Sequence, residues 1–162
     1  MFGKVTLDVC GAKFPSEEMR AARLQQVGRD KDGRQVVGDE HVRYLAASDG
    51  VAALKEVRAA VARCRPDEFH QPNVVDMPVV REQIDVIPDS RLKGLAADRT
   101  AFETTMTSRD GRMGFVAAIY QRRGAILSAV YGGSFEEILP FAQVIARRLG
   151  AITPEAAGDR HA

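Results

Sequence analysis

Few residues in this chain combine a reactive type with a spacing that organises it. Cys10 and Cys64 are the only two cysteines. They lie too far apart for a C-x-x-C redox motif and lack the further cysteine or histidine pair of a zinc site. Joined, they close a loop of about 55 residues, which contributes roughly 4 kcal/mol in the chain-entropy account. Apart, they are two free thiols, with Cys64 a small core residue. Both readings fit the residues. In GDEHVRY, Asp39, His41 and Arg43 alternate and share one strand face. An acid, an imidazole and a base so placed can move a proton or hold part of a metal site. The same alternation describes a solvated charged face, the more ordinary case. His70, with Asp67 and Glu68 nearby, reads as a loop histidine, and His161 belongs to the tail.

Other chemistries are excluded by what is missing. There is no G-x-S-x-G nucleophile elbow, and Ser134 opens a capping-box pattern, SFEE, at a helix start. Gly132-Gly133 precedes that helix without the lysine and further glycines of a phosphate loop. No cofactor motif is present. The small residues Gly114, Ala117, Ala118, Ala125, Ser128, Ala129 and Gly132 cluster in two adjacent strands. They leave room for a groove lined by Phe115, Ile119, Tyr120 and Tyr131, or they let helices pack closely on the sheet.

The elements that would position these residues are read from periodicity. The stretch 99–150 holds three strands (RTAFETTMT, MGFVAAIYQ, AILSAVYGG) and a closing helix, with Asp110-Gly111 at one turn. Phe115, Ala117 and Ile119 oppose Val116, Ala118 and Tyr120, so both faces of that strand are at least partly covered. Ile138, Phe141, Ala142, Ile145 and Leu149 form one helical stripe. Pro140 interrupts it and calls for a kink or a restart. Earlier, ARLQQVGR and RQVVGDEHVRYLA flank Asp30-Lys31-Asp32-Gly33 as a hairpin, with Gly28 and Gly38 marking a bulge or a close approach. A helix over about 49–64 carries Leu54, Val57, Val61 and Cys64 on one stripe, with Ser48 as its cap. An extended segment, VTLDVCG, comes first, and Ser16 caps a short turn after it. The proline-punctuated segment 67–98 holds one short edge strand, EQIDVIP, and is where a binding surface is expected.

Composition bounds the class. The chain has 162 residues, 45% hydrophobic and 28% charged, with Lys+Arg 23 against Asp+Glu 22. That is one domain with a real core and no global field for nucleic acid. No window approaches the roughly 20 apolar residues of a membrane span. The N-terminus lacks the pattern of a signal peptide. The chain is therefore either cytoplasmic or a mature segment without its export signal. Residues 1–152 read as the domain and 153–162, TPEAAGDRHA, as a flexible tail.

LDVCGAKFPSEEMRAARLQ, VVGDEHVRYLA, GVAALKEVRAAVARCRP and AAIYQRRGAILSAVYG together resemble small exported proteins and lipoproteins of actinobacteria. In that pattern a cysteine precedes a serine-glutamate-arginine segment and a second cysteine ends the first helix. The group is similar to the extracellular sensor domain of PknH-type mycobacterial serine/threonine kinases. The resemblance implies an α+β domain with helices flanking an antiparallel sheet and a cleft for a ligand, without catalysis. It also implies a Cys10–Cys64 disulfide and a place outside the cytoplasm. The kinase domains carry two disulfides where this chain can form one.

The expectation is thus an α+β fold: a curved antiparallel sheet of about five to six strands with two main helices packed on one face. Its expected role is non-catalytic, sensor-like binding of a small molecule or an envelope protein. The alternatives are a carrier of an apolar molecule or lipid, and a small cytoplasmic enzyme resting on Asp39, His41 and Arg43.

Overall fold

A computed structural model describes residues 7, 9–29, 32–33, 35–65 and 79–152. Six strands form one antiparallel sheet: β1 (Arg20–Arg29), β2 (Gln35–Tyr44), β3 (Val79–Val86), β4 (Asp98–Ser108), β5 (Met113–Arg123) and β6 (Ile126–Gly132). Two helices accompany them, α1 (Ala47–Arg63) and α2 (Phe135–Ala151). The strand order is β1-β2-β6-β5-β4-β3. The fold class is therefore α+β, with an open sheet of six strands. The β1–β2 hairpin is zipped onto β6, and α1 carries the chain across one face toward β3 on the far edge.

The expectation of both helices on one face is overturned by strand parity. On β5, Ala118 and Tyr120 join a core with Leu54, Val57 and Val61 of α1, while Ala117 and Ile119 join another with Ile138, Ala142 and Ile145 of α2. Alternate residues of a strand point to opposite faces, so α1 and α2 lie on opposite sides of the sheet. The reason was already present in β5: an apolar run on both faces needs a layer on each side. Its alanines, 117 and 118, are only 0% and 3% exposed, and so admit helices on both sides.

Each helix is anchored by polar contacts at its ends. α1 starts before the expected Ser48 cap: Ala46 is its N-cap, and its backbone N–H donates to the Asp49 carboxylate at 2.9 Å. Asp49 lies at the third helical position, so it answers an otherwise orphan donor and suits the positive end of the helix. Gly50 faces the β5–β6 turn; a Cβ there would lie 2.7 Å from the Gly124 carbonyl oxygen. Farther along, Arg58 donates to Asp98 and to the Arg99 carbonyl, both at 2.8 Å. On the other face Ser134 caps α2, its hydroxyl accepting from the Glu137 N–H. Glu103 of β4 accepts from the Phe135 N–H at 2.9 Å. α2 runs continuously through Pro140, without the restart that this residue suggested. Below it Gln121, fully buried, donates to the Ala142 carbonyl at 2.8 Å and accepts from the Ala96 N–H at 3.1 Å.

The N-terminal segment completes the α1 side. Leu7, Val9 and Phe14 are buried against α1, and Cys10 and Cys64 form a disulfide, with Cα atoms 5.7 Å apart. Pro15–Met19 forms a 3-10 turn capped by Phe14. Ser16 is not its cap. It turns inward and its hydroxyl donates to Glu56 of α1 at 2.7 Å. β3 extends the expected edge strand, and the hairpin's register shifts at Gly28 while Gly38 pairs regularly. The segment 66–78 and the tail 153–162, including His70 and His161, lie outside the described residues.

Candidate functional site

On the α1 side of the sheet, β2 brings an acid into an apolar register. Glu40 shares its face with Val42 and Tyr44, both buried, and is itself only 4% exposed. It pairs across with Gln25 of β1 and Ala129 of β6. Arg23, one diagonal step away on β1, donates through Nε to the Glu40 carboxylate and through Nη2 to Gln25 at 3.3 Å. From β6 the Tyr131 hydroxyl reaches the other Glu40 oxygen at 3.5 Å, a long contact. Behind Tyr131 stands Tyr120, ring edge to face at 6.1 Å, and Phe102 stacks on Tyr120 at 5.9 Å.

Burial sets the electrostatics here. It raises the Glu40 carboxyl above its ordinary range, against the opposing pull of Arg23. Burial likewise pushes the Tyr131 hydroxyl well up, helped by the neighbouring Tyr120 and Glu40. Tyr44, lower on the same face near Ser16, is raised mainly by burial and then by Glu17. The tyrosines stay neutral at physiological pH and serve as hydrogen-bonding surfaces rather than bases. Arg23 and Tyr131, the partly exposed members of the cluster, can meet a ligand, while the buried Glu40 accepts from both and holds them in place.

The four residues picked out for a groove do not form one. Ile119 is fully buried under α2 and Phe115 is 58% exposed on that same face. Tyr120 and Tyr131 lie together on the α1 side. One strand step separates Ile119 from Tyr120, and one step reverses the face. Asp39, His41 and Arg43 share the α2 side of β2, as alternation demands. His41 Nε2 meets Asp39 Oδ2 at 2.9 Å and Arg43 is exposed. Ser128 stands opposite His41 on β6, but it is fully buried and its hydroxyl finds no partner. No substrate carbonyl could reach it, so the three do not make a nucleophilic triad.

Two further places hold polar groups. A cavity of about 350 Å³ opens between the end of α2 and the β5–β6 turn, lined by Asp98, Arg122, Arg123 and Leu149 among others. There Arg122 is engaged by Asp98 at 2.7 Å and by the Gly124 carbonyl at 2.7 Å. Partial burial alone would raise the Asp98 carboxyl; the hydrogen bonds from Arg122 and Arg58 outweigh it and hold it below its usual range. This arrangement joins elements rather than presenting free charge. The second place is the disulfide, where a Glu82 carboxylate oxygen and both sulfur atoms lie within 4.8 Å of one another.

Glu40 and Glu82 were both missed in the sequence, and one signal marks each. Glu40 has the parity of Val42 and Tyr44, and Glu82 that of Ile84, so each is an acid in an apolar register. No family model, curated protein or solved structure matches the chain. The functional reading therefore rests on the geometry and on the sequence resemblance.

Proposed function

We propose that this chain is a non-catalytic, sensor-like binding domain of the actinobacterial cell envelope, recognising a small molecule or partner on the α1 side of its sheet. The observation that carries the binding reading is the Glu40–Arg23–Tyr131 cluster. An ion pair taken out of water is often no more stable than apolar residues of the same volume. Its presence beside three aromatic rings, in a sheet with ample Val, Ile and Leu, fits recognition better than folding. The disulfide supports the compartment, because such bonds persist in oxidising surroundings. No helix among the described residues is long and apolar enough to cross a membrane.

The chain offers its own probe. It has no tryptophan and three tyrosines, Tyr44, Tyr120 and Tyr131, all on the α1 side. Ultraviolet emission therefore reports on that side alone. Titration with a panel of soluble envelope glycans and peptide fragments is expected to change tyrosine emission saturably, with most of the change lost in Tyr131→Phe. A flat response across the panel removes those ligand classes, and a response undiminished in the variant moves the site away from Tyr131. For the compartment, protein from the native envelope should resist thiol alkylation until it is reduced. Recovery from the cytosol with two reactive thiols overturns that half of the reading.

A further inference from the structure

Three elements converge on the disulfide. Cys10 lies in the N-terminal segment in a left-handed conformation (φ 51°), followed by Gly11 at φ 61°. Cys64 is the residue on which α1 ends. β3 contributes Glu82, on the sheet face that carries Met106 and Ile84. Glu82 is only 5% exposed, whereas both cysteines are half-buried and open to solvent on one side. One donor atom from each residue lies within 4.8 Å of the other two.

We propose that Cys10, Cys64 and Glu82 form a redox-gated site for a thiophilic divalent cation of the zinc class, closed by the disulfide and opened by its reduction. The chemistry of the donor set argues for it. Beside a disulfide, the carboxylate is one negative charge next to neutral sulfur. Once the bond is reduced, deprotonation of both thiols would put three anionic donors in one partly buried place. Such a set of anionic sulfur and oxygen donors is suited to a divalent cation. Two thiolates and a carboxylate are ligands that zinc accepts, and the solvent-facing side leaves a fourth position for water. Geometry fits as well. Zinc–sulfur bonds of about 2.3 Å in a tetrahedral site put the two sulfurs about 3.8 Å apart. The Cα separation of 5.7 Å lets the side chains open to that distance by small χ1 rotations, leaving the backbone in place.

The exchange balances with a dithiol as the reductant. The dithiol gives up two electrons and two protons and closes its own disulfide, while the Cys10–Cys64 bond breaks to two thiols. Binding of the divalent cation then displaces two protons from those thiols into solvent. The inference does not depend on the ligand proposed for Glu40 and Tyr131, since the two places use no common residue.

The test uses cobalt(II) as the probe, under anaerobic conditions, on the full chain after reduction and removal of the reductant. Reduced protein is expected to bind one equivalent, with sulfur-to-cobalt charge-transfer absorption in the near ultraviolet. Oxidised protein and the Cys10→Ser/Cys64→Ser variant should show none. Glu82→Gln should keep that absorption but bind at least about tenfold more weakly, since losing a ligand costs no less than losing a group that orients one. Circular dichroism guards against misfolding: where the reduced apo chain has lost helix, cobalt should restore it in the wild type and not in the double variant. Cobalt binding by the reduced chain that is no tighter than by the double variant overturns the site. Equal affinity in Glu82→Gln removes the carboxylate from it, and equal binding by the oxidised chain removes the gate.

Discussion

Glu40 enters the apolar side of the sheet because strand alternation puts it there, between Val42 and Gly38, whatever its own preference for water. Burial raises its carboxyl above the ordinary 4.5, and the sign of the consequence follows from linkage. Between the unfolded value and the higher folded one, the native state keeps a proton that the unfolded chain has released. The group's contribution is thus complete below the unfolded value and is lost as pH rises through the folded one. Glu40→Gln cannot titrate. Its stability relative to wild type should therefore improve between pH 4.5, the ordinary value, and neutral pH. Urea unfolding of both proteins at the two pH values measures this, and Asp98, held low in both, cancels. An unchanged difference between the proteins would mean that Arg23 fully offsets the burial. Parity was legible in the sequence: the odd positions Asp39, His41 and Arg43 were grouped correctly. What alternation could not show is how tightly an added layer would seal each face, and so the partly exposed triplet drew attention while the buried Glu40 did not.

At the scale of elements, the strands and both helices were legible because turn pairs and periodicity are local signals. The sides of the sheet on which the helices lie were legible only in part: the apolar run on both faces of β5 called for a layer on each side, but which element supplies which layer depends on where a connection crosses. Pro140 misled for a related reason: α2 is supported by a buried stripe along its whole length, and packing absorbs one missing backbone hydrogen bond. Gly50 is the reverse case, a residue whose meaning appears only in the packed structure. Within a helix a glycine is ordinarily worse than alanine by roughly 0.5–1 kcal/mol, so propensity alone favours Gly50→Ala. The structure reverses the sign, because the new Cβ would stand 2.7 Å from the Gly124 carbonyl oxygen. Backbone on both sides must then move, and overpacking of this kind typically costs about 1–3 kcal/mol. The expected outcome is a net loss of stability in thermal or urea unfolding, with α1 displaced from the β5–β6 turn. A variant more stable than wild type would show that the β5–β6 turn yields to the new Cβ at little cost.

For the molecule as a whole, the sheet divides the interior into two cores that different forces secure. The α1 side holds the buried acids Glu40 and Glu82, the N-terminal segment and the only covalent cross-link, spanning 54 positions in sequence. The α2 side has no such link. It is held by apolar packing of Ile138, Ala142, Ile145 and Leu149, by the buried Gln121, and by Glu103 at the helix start. Breaking the disulfide frees a loop of that length in the unfolded chain, worth about 4 kcal/mol in the chain-entropy account. Part of the loss should be local, because the bond ties the end of α1 to a short N-terminal segment outside the sheet. After reduction in the absence of metal, amides over Ala47–Arg63 should thus exchange with solvent at a lower opening free energy than those over Phe135–Ala151. Native-state hydrogen exchange followed by NMR resolves the two helices separately. Should both helices lose protection by the same amount, the two cores unfold as one unit, and the disulfide stabilises the entire sheet rather than its α1 side. The unequal outcome would instead make the α1 side the part of the molecule that redox state can loosen while the sheet and α2 stay in place. That is the mechanical condition a sensor needs, since a change confined to one layer can be read against a fixed frame.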